Sequence, residues 1–109
     1  MKTCCSNLSG MNQNTDNFEV EDGKGRDYHI IDIREDFEVT DLDYQNLKPH
    51  ERLSFQHIGD WYQNLPADKP VLFVCEHGRR SYNAAFQVRR ATGLDAYSLI
   101  GGYAALRGE

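Results

Sequence analysis

The residues best suited to chemistry lie in one run, Cys75-Glu76-His77-Gly78-Arg79-Arg80-Ser81. Cysteine reacts as its thiolate, and the thiolate is favoured where positive charge and backbone N–H groups converge. Arg79 and Arg80 bring the charge, and Gly78 permits a tight turn. Such a run needs a rigid mount. Pro70-Val71-Leu72-Phe73-Val74, directly ahead of it, is a short apolar run of the kind that makes a buried strand. Behind it, Ser81 through Thr92 reads as a helix, with Ala84, Ala85 and Val88 on one side and Gly93 past its end. The cysteine therefore stands at a strand-to-helix turn. At such a turn, loop amides and the positive end of the helix dipole favour an anion.

The neighbouring elements say what else reaches this place. Tyr28-His29-Ile30-Ile31-Asp32-Ile33 is a β-branched strand that ends in charge, Asp32-Ile33-Arg34-Glu35. In a parallel α/β sheet, sites lie beyond the carboxyl ends of the strands, so Asp32 and Arg34 could face the region of Cys75. Phe18-Glu19-Val20 suits a short edge strand, and Glu21 to Asp27 a loop. Between residues 34 and 53 the pattern is weak. A helical turn at Asp36 to Thr40 and a short strand at Tyr44-Gln45-Asn46-Leu47 are expected there. From Ser54, Phe55, Ile58, Trp61, Tyr62 and Leu65 recur at helical spacing until Pro66, which predicts one amphipathic helix with its aromatic stripe in the core and His57 exposed. His29 reads as a packed or surface histidine rather than a ligand. Ala96-Tyr97-Ser98-Leu99-Ile100 is the last strand, Gly101-Gly102 breaks it, and Tyr103 to Arg107 makes a final helical turn. Alternating strands and helices predict an α/β fold, with a mostly parallel sheet covered by helices on both faces.

Composition narrows the function classes. The 109 residues, 39% hydrophobic and 27% charged, suit one small domain with one core. A net charge of -5 argues against a general nucleic-acid binder. No apolar run approaches the roughly 20 residues that a membrane span requires, and residues 1–7 lack the apolar stretch of a signal peptide. Residues 1–17 are polar and read as a flexible N-terminal tail, leaving 18–109 as the domain. Three cysteines do not make a disulfide framework, so a reducing compartment, the cytoplasm, is expected. Cys4 and Cys5 in the tail read as exposed thiols without a partner, the alternative being an accessory or resolving pair. No metal, no organic cofactor and nothing beyond a monomer is implied.

Four ordered pieces together resemble a single rhodanese domain. They are Ile31-Asp32-Ile33-Arg34-Glu35; Leu65-Pro66-Ala67-Asp68-Lys69-Pro70 leading into the apolar strand; Cys75-x-x-Gly78-x-Arg80-Ser81; and Leu99-Ile100-Gly101-Gly102-Tyr103-Ala104-Ala105. They cover about residues 28–107. The chain departs from that family where its Gly-His-Ile-Pro-Gly-Ala segment is missing, over residues 36–53 that match loosely, and at Leu106, where tryptophan is common. The resemblance implies a small three-layer fold and a double-displacement sulfurtransferase. Cys75 would be the nucleophile and sulfur carrier, with Glu76, His77, Gly78, Arg79 and Ser81 forming the substrate-binding loop. Arg80 would hold that loop, pairing with Asp32 or Glu35. Asp32, Arg34 and Glu35 would support it. The donor would be thiosulfate or a persulfide, and the acceptor a thiol, cyanide or a protein such as a sulfur carrier.

Loop charge bears on the donor. A carboxylate at Glu76 should repel dianionic thiosulfate and oppose the arginines around Cys75, so a persulfide donor is expected to be the better one. His77 could tune charge near neutral pH or be an exposed loop residue of no consequence. Two other classes compete. Cysteine-dependent phosphatases and arsenate reductases use a similar loop with five residues between Cys and Arg, whereas four stand here, Glu76 to Arg79, and the smaller ring suits one sulfur atom. A non-catalytic interaction module would keep the fold without needing the thiolate.

Overall fold

The computed structural model describes residues 17–109. The tail expectation for residues 1–17, Cys4 and Cys5 included, falls almost wholly outside them. Five strands form one sheet: β1 (Glu19–Val20), β2 (His29–Asp32), β3 (Glu51–Arg52), β4 (Val71–Val74) and β5 (Ala96–Leu99). Their spatial order is β1-β5-β4-β2-β3, and every pairing is parallel. The helices are α1 (Asp41–Asn46), α2 (Ile58–Trp61), α3 (Arg79–Thr92) and α4 (Gly102–Leu106). The fold is the expected α/β type, and β1 is the expected short edge strand.

Two apolar layers sandwich the sheet. Strand side chains alternate between faces: Ile31, Val71, Phe73 and Cys75 turn toward Trp61 of α2 and Ala84, Ala85 and Val88 of α3. Ile30, Leu72, Val74 and Leu99 turn toward Tyr103 of α4, with Tyr44 of α1 and Leu47 packed alongside. β4, at the centre, is buried along its whole length. Each of its side chains contributes about 1.5–3 kcal/mol by leaving water. This is the fixed base on which Cys75 stands. No helix among the described residues is long and apolar enough to cross a membrane.

β3 has no counterpart among the sequence expectations, and two of the expected elements take another form. Tyr44-Gln45-Asn46-Leu47 is not a strand: Tyr44 to Asn46 belong to α1, whose start is capped by Thr40 Oγ1 accepting from Asp43 N–H at 3.2 Å. The single helix expected from Ser54 to Leu65 is instead a 3-10 turn (Phe55–His57), the four-residue α2 and a second 3-10 turn (Tyr62–Asn64). Gly59 in its middle lacks helix propensity, and the apolar spacing of three and four is met by 3-10 and α-turns alike. Trp61 is buried as expected, its indole N–H donating to Ser54 O at 2.8 Å. His57 is exposed, and His29 is half-buried against Glu51 at 2.6 Å.

Candidate functional site

Cys75 follows the last residue of β4, and Gly78 precedes the first residue of α3. Gly78 has φ +92°, a left-handed backbone that side chains resist, and a Cβ there would lie 2.9 Å from Gly101 N. The turn it allows folds two amides back onto the sulfur. Gly78 N–H donates to Cys75 Sγ at 3.1 Å and Ser81 N–H at 3.2 Å. Ser81 N–H belongs to the first turn of α3 and has no partner within the helix, so the sulfur takes its place. The Cys75 thiol in turn meets Ser81 Oγ at 3.4 Å. The Ser81 hydroxyl donates to Gly78 O at 3.2 Å and lies 2.7 Å from Ser98 Oγ on β5. Cys75 is only 1% exposed. The sulfur is thus enclosed by donors at the positive end of a 14-residue helix.

The far side of the loop is held by α4. Tyr103 N–H donates to Cys75 O and Ala104 N–H to Glu76 O, each at 2.9 Å. Gly102, at φ +60°, makes this approach possible. A Cβ on it would stand 2.2 Å from Cys75 O and 2.7 Å from Glu76 O. The Gly-Gly pair that breaks β5 thereby lets one helix start cap two carbonyls of the reactive loop.

Charge ties the loop to the rest of the molecule. Arg34 is completely buried beside β2. Its guanidinium binds Asp32 (3.1 Å), Asp43 (2.9 Å), Glu76 Oε1 (3.0 Å) and Glu38 O (3.1 Å), and lies 4.0 Å from the centre of the Tyr103 ring. Arg107 bridges Asp43 and the other oxygen of Glu76. Tyr44 donates to Asp32 at 2.5 Å, and burial followed by that carboxylate keeps its hydroxyl protonated far above the usual tyrosine range. For Asp43, burial pushes the carboxyl up, but hydrogen bonds from Arg107 and Arg34 outweigh it and hold the group below its ordinary value. Arg80 makes two bonds to Glu38, at 2.8 and 2.6 Å, and these hold Glu38 below the usual carboxylate range.

Several sequence expectations change here. Arg80 pairs with neither Asp32 nor Glu35: Asp32 is occupied by Arg34 and Tyr44, and the Glu35 carboxylate accepts from the Ser54 hydroxyl at 2.6 Å. The Asp32 carboxylate bonds Arg34 and Tyr44, and through Arg34 it is linked to Glu76 of the loop. Glu76 is not a free charge facing the donor. Its side chain is 18% exposed and held by two guanidiniums, which weakens the expected repulsion of thiosulfate without removing it, since Arg34 and Arg107 also serve Asp32, Asp43 and Glu109. His77 and Arg79 are exposed, as loop positions facing solvent should be. Glu38, Asp43, Ser98, Gly102 and Arg107 were not singled out from sequence as site residues. Of these, Gly102 carried the clearest signal there, as part of the closing motif. Ligand atoms of Glu76, His77 and Glu109 lie within 4.8 Å of one another, but Arg107 already engages both carboxylates, which leaves a poor cation site.

Comparison with known proteins decides the family. The sequence model of the rhodanese-like domain matches residues 19–109. The chain belongs to the rhodanese-like domain family. Among solved structures, a rhodanese homologue from the extremely thermophilic bacterium Thermus thermophilus is 32% identical, with a TM-score of 0.53, over 69% of this chain and 78% of that one. A rhodanese-related protein from Thermoplasma volcanium is 24% identical, with a TM-score of 0.62, over 74% and 77%. A NAD-dependent persulfide reductase from A. fulgidus shares the fold at 24% identity and a TM-score of 0.57, over 79% of this chain but only 15% of that protein. No curated protein matches this chain. The sulfur-enclosing loop belongs, in this rhodanese-like chain, to the matched span.

Proposed function

We propose that the chain is a sulfurtransferase that carries sulfane sulfur as a persulfide on Cys75. The observation that supports it most is the pair of amides, from Gly78 and Ser81, aimed at Cys75 Sγ at the start of α3. The Cys75 thiolate attacks the sulfane sulfur of the donor. A new S–S bond forms, the old one breaks, and its electron pair leaves on sulfite or on a thiolate. The terminal persulfide sulfur carries the negative charge, which loop amides and the helix dipole stabilise without reorganising. An acceptor nucleophile then takes that sulfur, and the electron pair of the broken bond returns to Cys75. Gly78 shapes the turn, Ser81 closes the ring around the sulfur, and the Arg80–Glu38 clamp holds the start of α3. Thiosulfate and persulfides are both candidate donors, because pairing with Arg34 and Arg107 weakens the negative field of Glu76. The persulfide chemistry named for the A. fulgidus protein supports the second. The chain would act as a monomer in a reducing compartment such as the cytoplasm.

One observation favours a second reading, an interaction module without catalysis: a thiol only 1% exposed is hard for a donor to reach. Intact-protein mass spectrometry separates the two. Wild type and Cys75→Ser, with Cys4 and Cys5 replaced in both, are exposed to thiosulfate or a low-molecular-weight persulfide. Gain of one sulfur only when Cys75 is present, with cyanide releasing it as thiocyanate, is expected. No sulfur on Cys75 from either donor would refute the sulfurtransferase.

A further inference from the structure

Beside the reactive loop lies a cleft of about 540 Å³ lined by Phe37, Glu38, Thr40, Leu42, Glu76 and Arg107. Its rim carries the two most exposed large apolar side chains among the described residues, Phe37 at 88% and Leu42 at 60%. Phe37 does not sit on a loose loop. Asp36 is bonded to Arg52 at 2.6 Å, Glu38 to Arg80, and Glu38 Oε1 accepts from Glu35 N–H at 3.0 Å. Both neighbours of the ring are pinned while the ring itself stands in solvent, an arrangement that costs a partner little ordering entropy. Charge around the cleft is one-sided. Residues 35–43 hold five acids and no lysine or arginine. The cleft's own Glu38, Glu76 and Arg107 belong to a wider ion-pair network, partly buried behind it, in which Arg34, Arg80 and Arg107 face Asp32, Glu38, Asp43, Glu76 and Glu109, a net of two negative charges. Asp41, in the first turn of α1, is exposed and joins none of the ion pairs among the described residues.

We propose that this cleft docks the protein segment whose thiol accepts sulfur from Cys75, and that the segment carries an apolar side chain flanked by lysine or arginine. The apolar residue would bury Phe37 and Leu42, and the basic flanks would answer the acidic rim. The inference rests on the sulfur-transfer reading of Cys75. In the transfer itself, the docked thiolate attacks the outer persulfide sulfur, the bond to Cys75 breaks, and Cys75 departs as thiolate.

The test uses the full chain, loaded with sulfur on Cys75 and mixed with synthetic cysteinyl peptides. One carries leucine flanked by lysines; in a second, glutamates replace the lysines; in a third, glycine replaces the leucine. Free cysteine is the small acceptor. Sulfur transfer to the leucine–lysine peptide should be at least tenfold faster than to the other two, and the advantage should shrink as salt rises. Phe37→Ala and Leu42→Ala should each remove at least fivefold of it, leaving transfer to free cysteine and the circular dichroism unchanged. Equal rates for the three peptides, or a preference that survives both substitutions, would overturn the docking surface. Should Phe37→Ala dissolve a self-associated dimer in sedimentation, the occupant is a second copy and the proposal fails. If Cys75 takes up no sulfur, the sulfurtransferase reading fails separately. Fluorescence anisotropy of the labelled leucine–lysine peptide on Cys75→Ser then decides the surface alone. Binding lost in Phe37→Ala supports it, and no binding refutes it.

Discussion

Replacing Gly102 by alanine should disable the loop without touching any side chain in it. Two effects add. At φ +60° an alanine pays roughly 1–2 kcal/mol for the left-handed backbone. Its Cβ would also fall 2.2 Å from Cys75 O and 2.7 Å from Glu76 O, where ordinary contact begins at 3.4 Å. Relief requires a shift of about 1 Å between the start of α4 and the loop, enough to spoil both bonds from Tyr103 and Ala104 N–H to those carbonyls. Each such bond is worth about 0.5–1.5 kcal/mol net, and more when its partner stays buried. The sum is about 2–5 kcal/mol, a large part of the 5–15 kcal/mol that holds a typical domain.

Urea unfolding followed by tryptophan fluorescence measures the loss, since Trp61 is the sole tryptophan and is buried. Gly59→Ala, in α2 with nothing within 4 Å of its would-be Cβ, is the control and should be neutral or slightly stabilising. Below the unfolding transition, sulfur loading of Gly102→Ala should also be at least tenfold slower, because the carbonyls it displaces belong to Cys75 and Glu76. A Gly102→Ala protein within 1 kcal/mol of wild type and loading at the wild-type rate would refute the view that α4 sets the loop.

Arg34→Lys should cost about 3–5 kcal/mol, because a lysine cannot bridge the carboxylates that the buried guanidinium joins, and at least one is left unpaired; a melting temperature within 2 °C of wild type would contradict this. For Glu76→Gln, a free carboxylate roughly 6 Å from a dianion costs ~1.4 kcal/mol even in water, about tenfold in rate. With Arg34 and Arg107 paired to that carboxylate and weakening its field, thiosulfate loading should rise by less than threefold, and a tenfold rise would restore the full repulsion argument. Glu38 and Asp43 both have folded values depressed below their ordinary 4.5 and 3.8. Their stabilisation is therefore complete above those ordinary values and is lost as pH falls through the lower folded ones. Stability should decline from about pH 4.5 downward, and Asp43→Asn should flatten that acid limb in a pH series of urea midpoints; an unchanged slope would exclude Asp43 as a source.

What could be read from the chain before folding divides by the kind of force involved. β2, β4 and β5 are written in short apolar, β-branched runs, and α3 in the spacing of Ala84, Ala85 and Val88, so hydrophobic periodicity finds them. The Cys75 turn was legible because glycine, cysteine and a following helix leave few geometries. Residues 34–53 are different: what holds them is Asp36–Arg52, Glu38–Arg80 and Asp43 with Arg34 and Arg107. Ion pairs have no period. Glu38 and Arg80 are 42 positions apart, and nothing in spacing tells Glu38 from Glu35 as the partner. The start of α1 did carry a signal, Thr40 placed before acidic residues, and Tyr44 and Leu47 stand at helical spacing, but so short a run has too few apolar positions to set a period.

The same division explains how a carboxylate can sit next to Cys75. From sequence, Glu76 is a negative charge at a site that, on the proposed reading, holds an anion. In the folded chain each of its oxygens meets a guanidinium, one from behind β2 and one from the end of α4. The carboxylate becomes an anchor, joining the second loop residue to both the buried Arg34 cluster and the C-terminal turn. The loop is then fixed at three places: amide to sulfur through Gly78 and Ser81, carbonyl to amide through α4, and side chain to side chain through Glu76. A loop held this way keeps its donors aimed before any charge develops on the sulfur. On the proposed reading, the choice of partner falls to the surfaces around it, the exposed His77 and Arg79 on the loop and the Phe37–Leu42 shoulder beside it.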